Sequence, residues 1–196
     1  MGYGCGVAVS LPTPNPGQLR ALVGALATLG ALAYVASHAA LISDDGMAPS
    51  LLPGDLVLLW NVAPQEGDVV AVLDPLDPTS WTLRRVEAIG GAIEYSGGSY
   101  VHDIEPALLD MGKDDAGFSV IQEGEHLTRH MSRNVSYEIE PSGVPDDSAW
   151  LGADNRDEAL DSRWWGPVPL DVLQGKVVLR LGAPRNRWRS WVDLEP

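Results

Sequence analysis

The sequence predicts a mainly β domain carried behind one N-terminal transmembrane helix. Two observations predict it. From Ala21 to Ile42 there is no Asp, Glu, Lys or Arg. At 1.5 Å per residue that run extends roughly 33 Å, enough to cross the hydrocarbon of a bilayer. After residue 43 the pattern changes to short apolar runs set off by turn residues, which is the signature of strands.

Residues 1–18 come first and are rich in Gly and Pro, as in Leu11-Pro12-Thr13-Pro14-Asn15-Pro16-Gly17. They read as an irregular leader, without the basic region of a signal peptide or the Arg-rich helix of a transit peptide. Residues 19–42 are expected to form the transmembrane helix. Arg20 precedes the uncharged run and Asp44 and Asp45 follow it. That asymmetry puts the N-terminus on the cytoplasmic or matrix side and the large domain outside. Gly24, Ala27, Thr28 and Ala31 present small side chains, which suit either close helix packing or a lipid-facing Ala-rich surface. His38 lies close enough to the end to reach the interface.

Residues 43–196 are expected to form the β domain. Strands are predicted at Leu56–Trp60 after Pro53-Gly54-Asp55 and at Val69–Leu73 after Glu66-Gly67-Asp68. Further strands are predicted at Trp81–Ile89, Val135–Ile139 and Lys176–Leu181. The more polar Glu105–Asp115 and Glu123–Met131 are expected as short helices, and Gly97-Gly98 as a turn.

Composition narrows the function. An apolar share of 45% sustains a core. A net charge of −14 argues against nucleic acid as a partner and against adhesion to anionic lipid. An acidic surface suits basic partners or simple solubility. Cys5 is the one cysteine in the chain, which excludes an intrachain disulfide.

Three segments carry a resemblance. The first is Gly46-Met47-Ala48-Pro49-Ser50-Leu51 with Pro53-Gly54-Asp55 after it. The second is Asp77-Pro78 followed by Leu83-Arg84-Arg85-Val86. The third is Asp154-Asn155-Arg156, then Asp161-Ser162-Arg163-Trp164-Trp165-Gly166-Pro167-Val168. In order and spacing they resemble the type I signal peptidases, over residues 20–98 and 144–190. The runs Asp74 to Pro78, Gly166 to Leu170 and Pro184 to Trp188 look most like the second subunit of the mitochondrial inner membrane peptidase. The resemblance implies a signal-peptidase-like β domain, with residues 99–143 as an insertion between the later motifs.

The resemblance also implies a chemistry whose groups are missing. In that family a Ser hydroxyl attacks the peptide carbonyl, a neutral Lys takes its proton, and donors stabilise the oxyanion. Gly46 aligns with the nucleophile and has no side chain. Arg84 aligns with the Lys, and a guanidinium stays protonated in proteins. Ala159 aligns with the Ser that supports the Lys. Asp44 aligns with an oxyanion-stabilising Ser, where a carboxylate would repel the developing charge. Ser43 and Ser50 lie three or four residues from Gly46, too far to substitute. The frame residues Asp154, Asn155, Arg156, Asp161, Ser162 and Arg163 remain. Asp161 and Arg163 are expected to pair with each other or with neighbouring loops, as are Asp154 and Arg156. Arg84 is expected to pair with Asp44 or Asp45.

Other signals are weaker. His126 and His130, four apart, suit metal binding on a helix, but no third ligand is evident and they read as surface histidines. Asn134-Val135-Ser136 fits a glycosylation acceptor. Ala107-Leu108-Leu109 and Met111 among acidic residues suit a docking surface for a partner or a tolerated surface insertion, and Trp188 and Trp191 suit a neighbour or a membrane interface. The expected protein is thus a pseudoenzyme without cofactor or metal. It would serve as an accessory or scaffold subunit, hetero-oligomeric with other membrane proteins, in a respiratory-chain or peptidase complex. The expected location is the mitochondrial inner membrane with the domain in the intermembrane space, or a bacterial inner membrane facing the periplasm. The alternatives are a divergent signal peptidase cleaving presequences and a non-cleaving receptor for signal-like peptides.

Overall fold

A computed structural model describes residues 15–96, 98–102, 106–130 and 139–182. It divides into two units, Met1–Ser37 and His38–Pro196.

The first unit holds helix α1 (Pro16–Ala36). Asn15 caps it: its side chain accepts from the Gln18 N–H at 2.8 Å, and the Gln18 side chain accepts from the Asn15 N–H at 3.0 Å. Pro16 fits the first turn because no partner for its missing N–H is needed there. The helix therefore begins inside the expected leader. It ends at Ala36, not at residue 42, and its 21 residues extend about 31 Å. It is long and apolar enough to cross a bilayer, and none of its residues is buried. The last uncharged residues lack charge for another reason. Ala40 and Ile42 face the core of the second unit, where Ile42 is buried.

The second unit is antiparallel β. Its strands are β1 (Ala39–Leu41), β2 (Leu56–Trp60), β3 (Val69–Asp74), β4 (Asp77–Ile89), β5 (Ala92–Ser96), β6 (Ser99–His102) and β7 (Leu108–Lys113). They continue with β8 (Ser119–Glu123), β9 (His126–His130), β10 (Ile139–Gly143), β11 (Ser148–Gly152), β12 (Val168–Pro169) and β13 (Gly175–Leu181), with a one-turn helix α2 (Ser162–Trp165) before β12. A seven-stranded sheet runs β1-β2-β13-β3-β4-β11-β12. Two three-stranded sheets run β10-β5-β6 and β7-β8-β9. The predicted strands at Leu56, Val69, Trp81 and Lys176 all form. Most of the one predicted at Val135–Ile139 lies outside the described residues. Gly98, with φ 91°, turns β5 into β6 as expected.

The two predicted short helices are a correction, because both segments are strands. Glycine and Asp turns break them into hairpins. Asp114 accepts from the Ala116 and Phe118 N–H groups, and Gly112 and Gly124, one in each segment, adopt φ of 93° and 58°. A helix cannot run through such a position.

Three apolar clusters fill the unit. Val70, Val72, Val86, Ala149, Leu151 and Val168 lie under the centre of the large sheet. Ala88, Ile93, Tyr95, Tyr100, Val144 and Trp150 join its end to β5 and β6. Ile42, Met47, Leu51 and Val57 close the third beneath the loop after β1. That loop carries Asp44, Asp45 and Gly46, so burial of Met47 and Leu51 fixes where those residues stand.

Candidate functional site

Gly46 is held from both sides. Its N–H donates to Asp44 Oδ1 at 2.9 Å, and its carbonyl accepts from the Asn155 N–H at 3.0 Å. A Cβ built on Gly46 would stand 3.0 Å from Arg84 Nη1, 3.1 Å from Asp44 Oδ1 and 3.3 Å from the Ala159 Cβ. Four positions singled out in the sequence thus meet at one point, brought there by the loop after β1, by β4 and by the segment before α2.

Arg84 is 5% exposed. Its Nε donates to the Leu160 carbonyl at 2.7 Å, and its Nη1 to Thr82 Oγ1 and the Leu83 carbonyl, each at 2.5 Å. The guanidinium lies 5.5 Å from the Trp165 ring centroid. The expected pairing with Asp44 or Asp45 does not form as an ion pair. Asp44 is engaged by the Gly46 N–H, and Asp45 by Arg129 at 2.6 Å. Burial lowers the Arg84 pKa, while Asp161, Asp44 and Asp74 raise it. Arginine's high intrinsic basicity keeps the group a cation.

Beside this point lies a groove of about 380 Å³ whose walls include Ala40, Ile42, Asp44, Met47, Trp81 and Leu83. Its lining is mostly apolar and includes Asp44.

The frame residues are almost wholly buried, and their pairing corrects the expected one. Asp154 does not pair with Arg156. It takes a bidentate contact from Arg85, Nε at 2.8 Å and Nη2 at 2.6 Å. Arg156, with no exposed side-chain surface, reaches Glu87 at 3.0 Å and Glu123 at 2.7 Å and stacks 4.5 Å from the Tyr100 ring centroid. Gly152 permits this packing, because a Cβ there would fall 2.7 Å from both Arg156 Nη1 and Tyr100. Asp161 and Arg163 do pair, at 2.8 Å, and Asp161 also accepts from the Ala153 N–H at 2.9 Å. Ser162 Oγ accepts from the Leu151 N–H at 2.9 Å, which ties α2 to β11. Asn155 Nδ2 donates to the Asp45 carbonyl at 3.3 Å and to Glu158 at 3.1 Å.

The sequence reading missed Arg85, Glu87, Glu123 and Arg129 as structural partners. The signal was present in β4, where Arg84-Arg85-Val86-Glu87 puts three charges in a strand that must cross the core. Glu87 and Glu123 share Arg156, and they respond in opposite directions. Glu123 is nearer Arg156 and takes the Ser99 hydroxyl as well; against the opposing effect of burial, these hold its pKa down. Burial, reinforced by the Glu123 charge, pushes Glu87 up to about 7 against the pull of Arg156.

His126 and His130 do not stand on a helix, and neither is a surface histidine. Both lie in β9, where four residues span about 13 Å, too far for one metal. Burial, with the Arg85 charge next, pushes His126 down to about 4, and burial lowers His130 too. Cys5, the Asn134-Val135-Ser136 acceptor, Trp188 and Trp191 lie outside the described residues.

The chain belongs to the family described as signal peptidase, peptidase S26, whose model matches residues 17–182. It is 35% identical over 151 residues to thylakoidal processing peptidase 1 of Arabidopsis thaliana, covering 73% of this chain and 41% of that protein. It is 25% identical over 195 residues to a probable signal peptidase I of Synechocystis, covering 90% and 89%. Mitochondrial inner membrane protease subunit 2 of Danio rerio is 27% identical over 171 residues, covering 82% and 70%. The chain therefore spans less than half the length of the thylakoidal relative and most of the length of the other two.

Proposed function

We propose that this protein is a catalytically inactive member of its family, an accessory or scaffold subunit of an inner-membrane complex such as a respiratory-chain or peptidase assembly. One observation carries the reading: Gly46, Arg84, Asp44 and Ala159 converge within about one van der Waals contact of a common point. Where the family's chemistry needs an attacking oxygen, Gly46 offers none. Where it needs a neutral amine, Arg84 offers a buried, permanently protonated fork whose hydrogens go to Leu160, Thr82 and Leu83. Where it needs donors for an oxyanion, Asp44 offers a carboxylate. The relatives are named as peptidases and proteases. Retention of the Asp154 and Asp161 frame beside the altered centre supports a fold kept for holding something. Helix α1 would anchor the domain on the outer side of a mitochondrial or bacterial inner membrane.

A second reading, a receptor that holds signal-like peptides without cutting them, is favoured by the apolar groove beside Gly46. One set of experiments separates these readings. The full chain in mild detergent is incubated with a presequence peptide, beside an Arg84→Ala variant. Neither is expected to cleave, and Arg84-dependent cleavage would overturn the proposal. Peptide binding without cleavage would favour the receptor. Recovery of the protein as a lone monomer from native membranes would overturn the scaffold reading.

A further inference from the structure

The inserted sheet β7-β8-β9 has two unlike edges. Along β9 the backbone is taken up by the frame. The Arg129 N–H donates to the Asp154 carbonyl at 2.8 Å, and the Arg129 carbonyl accepts from the Arg156 N–H at 3.0 Å. Arg129 further binds Asp45 at 2.6 Å and Glu158 at 3.2 Å, and the Ser50 hydroxyl donates to the Leu127 carbonyl at 3.2 Å. The sheet is therefore fastened through one edge to the loop that carries Gly46.

The opposite edge is β7. It pairs only with β8 among the described strands, from Leu108 opposite Glu123 to Lys113 opposite Ser119. Leu108 and Leu109 are 48% and 59% exposed. Alternation along a strand sends them to opposite faces, so both faces of this edge offer an apolar side chain. An open edge of this kind is a template for another strand.

Charge selects the occupant. Exposed carboxylates flank the edge: Glu125 in the turn whose Gly124 N–H binds the Ala107 carbonyl, Asp110 within β7, and Asp115 just beyond it. Lys113 is the one exposed cation along the strand. A second copy would bring the same carboxylates and a second net charge of −14, which disfavours edge-to-edge pairing with itself. We infer that the β7 edge takes up an extended partner segment in which apolar residues alternate with Lys or Arg. The main chain would pair with β7, the apolar side chains would cover Leu109 on one face, and the cations would stand on the other face beside Asp110, with Asp115 and Glu125 in the flanking turns. This inference does not depend on whether the Gly46 site turns over substrate.

The test uses the full chain in detergent and two ten-residue peptides, one alternating Val with Lys and one alternating Val with Glu. Amide hydrogen exchange is followed by mass spectrometry. The Lys peptide is expected to slow exchange across residues 106–113 and to bind at least tenfold more tightly than the Glu peptide. Leu109→Ser should weaken it at least fivefold. The double change Asp110→Lys with Glu125→Lys should reverse the preference, and since all three residues are exposed the fold should survive. Equal affinity for both peptides, no binding of either, or protection confined to the groove lined by Ala40, Trp81 and Leu83 would overturn the inference. So would peptide-independent dimerisation that protects 106–113.

Discussion

Arg156 offers the sharpest test of how the domain is held together. Its side chain has no exposed surface, and its two carboxylate partners, Glu87 and Glu123, are 7% and 3% exposed. Glu87 belongs to the large sheet and Glu123 to the β7-β8-β9 sheet, so one guanidinium joins two sheets. Arg156→Met keeps most of the volume and removes the charge. Taking one partner from a buried ionic cluster costs about 3–5 kcal/mol, a large share of the roughly 5–15 kcal/mol that stabilises a domain. The pH dependence is the diagnostic part. In the wild-type protein Glu87 has its pKa raised from 4.5 to about 7. Its contribution is full below 4.5 and is lost as pH rises through 7, at most about 3.5 kcal/mol at about 1.4 kcal/mol per unit. Glu123 is shifted downward, so its contribution is present above its unfolded value and is lost as pH falls. The two oppose each other while Arg156 is present. Without it both carboxylates are raised, and both lose stability as pH rises. Urea unfolding of the detergent-solubilised chain, followed by tryptophan fluorescence, should show a deficit several kcal/mol larger at pH 8 than at pH 5. A loss below about 1 kcal/mol, or an equal loss at both pH values, would refute the reasoning.

Two further outcomes are expected. His126 is held neutral by burial, with its pKa pushed down from 6.5 to about 4. The wild-type protein should therefore lose stability as pH falls from about 6.5 through 4, by at most about 3.5 kcal/mol, and His126→Gln should flatten that slope in acid unfolding curves. An unchanged slope would show that the imidazole is not the titrating group. Leu26 lies at the middle of α1 and is 60% exposed. Leu26→Asp should cost about 3 kcal/mol of insertion and shift the protein into the supernatant on alkaline extraction of membranes. Full retention in the pellet would argue that α1 is not the anchor.

Much of this was legible in the sequence because it depends on local pattern. The absence of charge from Ala21 to Ile42 marked an apolar helix, although it could not mark its end. Residues left uncharged in an exposed apolar helix look like residues that are uncharged because a sheet buries them, and Ala40 and Ile42 are of the second kind. The insertion defeated the reading for a related cause. Its polar, irregular pattern matches neither period well, and hairpin turns at Gly117 and Gly124 decided it.

By itself the sequence determined the chemistry available at each position: no side chain at Gly46, a permanent cation at Arg84, a carboxylate at Asp44. Those are properties of residue types and need no fold. Only the tertiary structure decided that these positions share a single point, and which carboxylate each arginine holds. The sequence had suggested that Asp154 and Arg156 pair with each other or with neighbouring loops, and that Arg84 pairs with Asp44 or Asp45. The fold instead gave Asp154 to Arg85, Arg156 to Glu87 and Glu123, and Asp45 to Arg129. A buried ion takes the partner that reaches it through the core, and that distance is set by sheet register, not by separation along the chain.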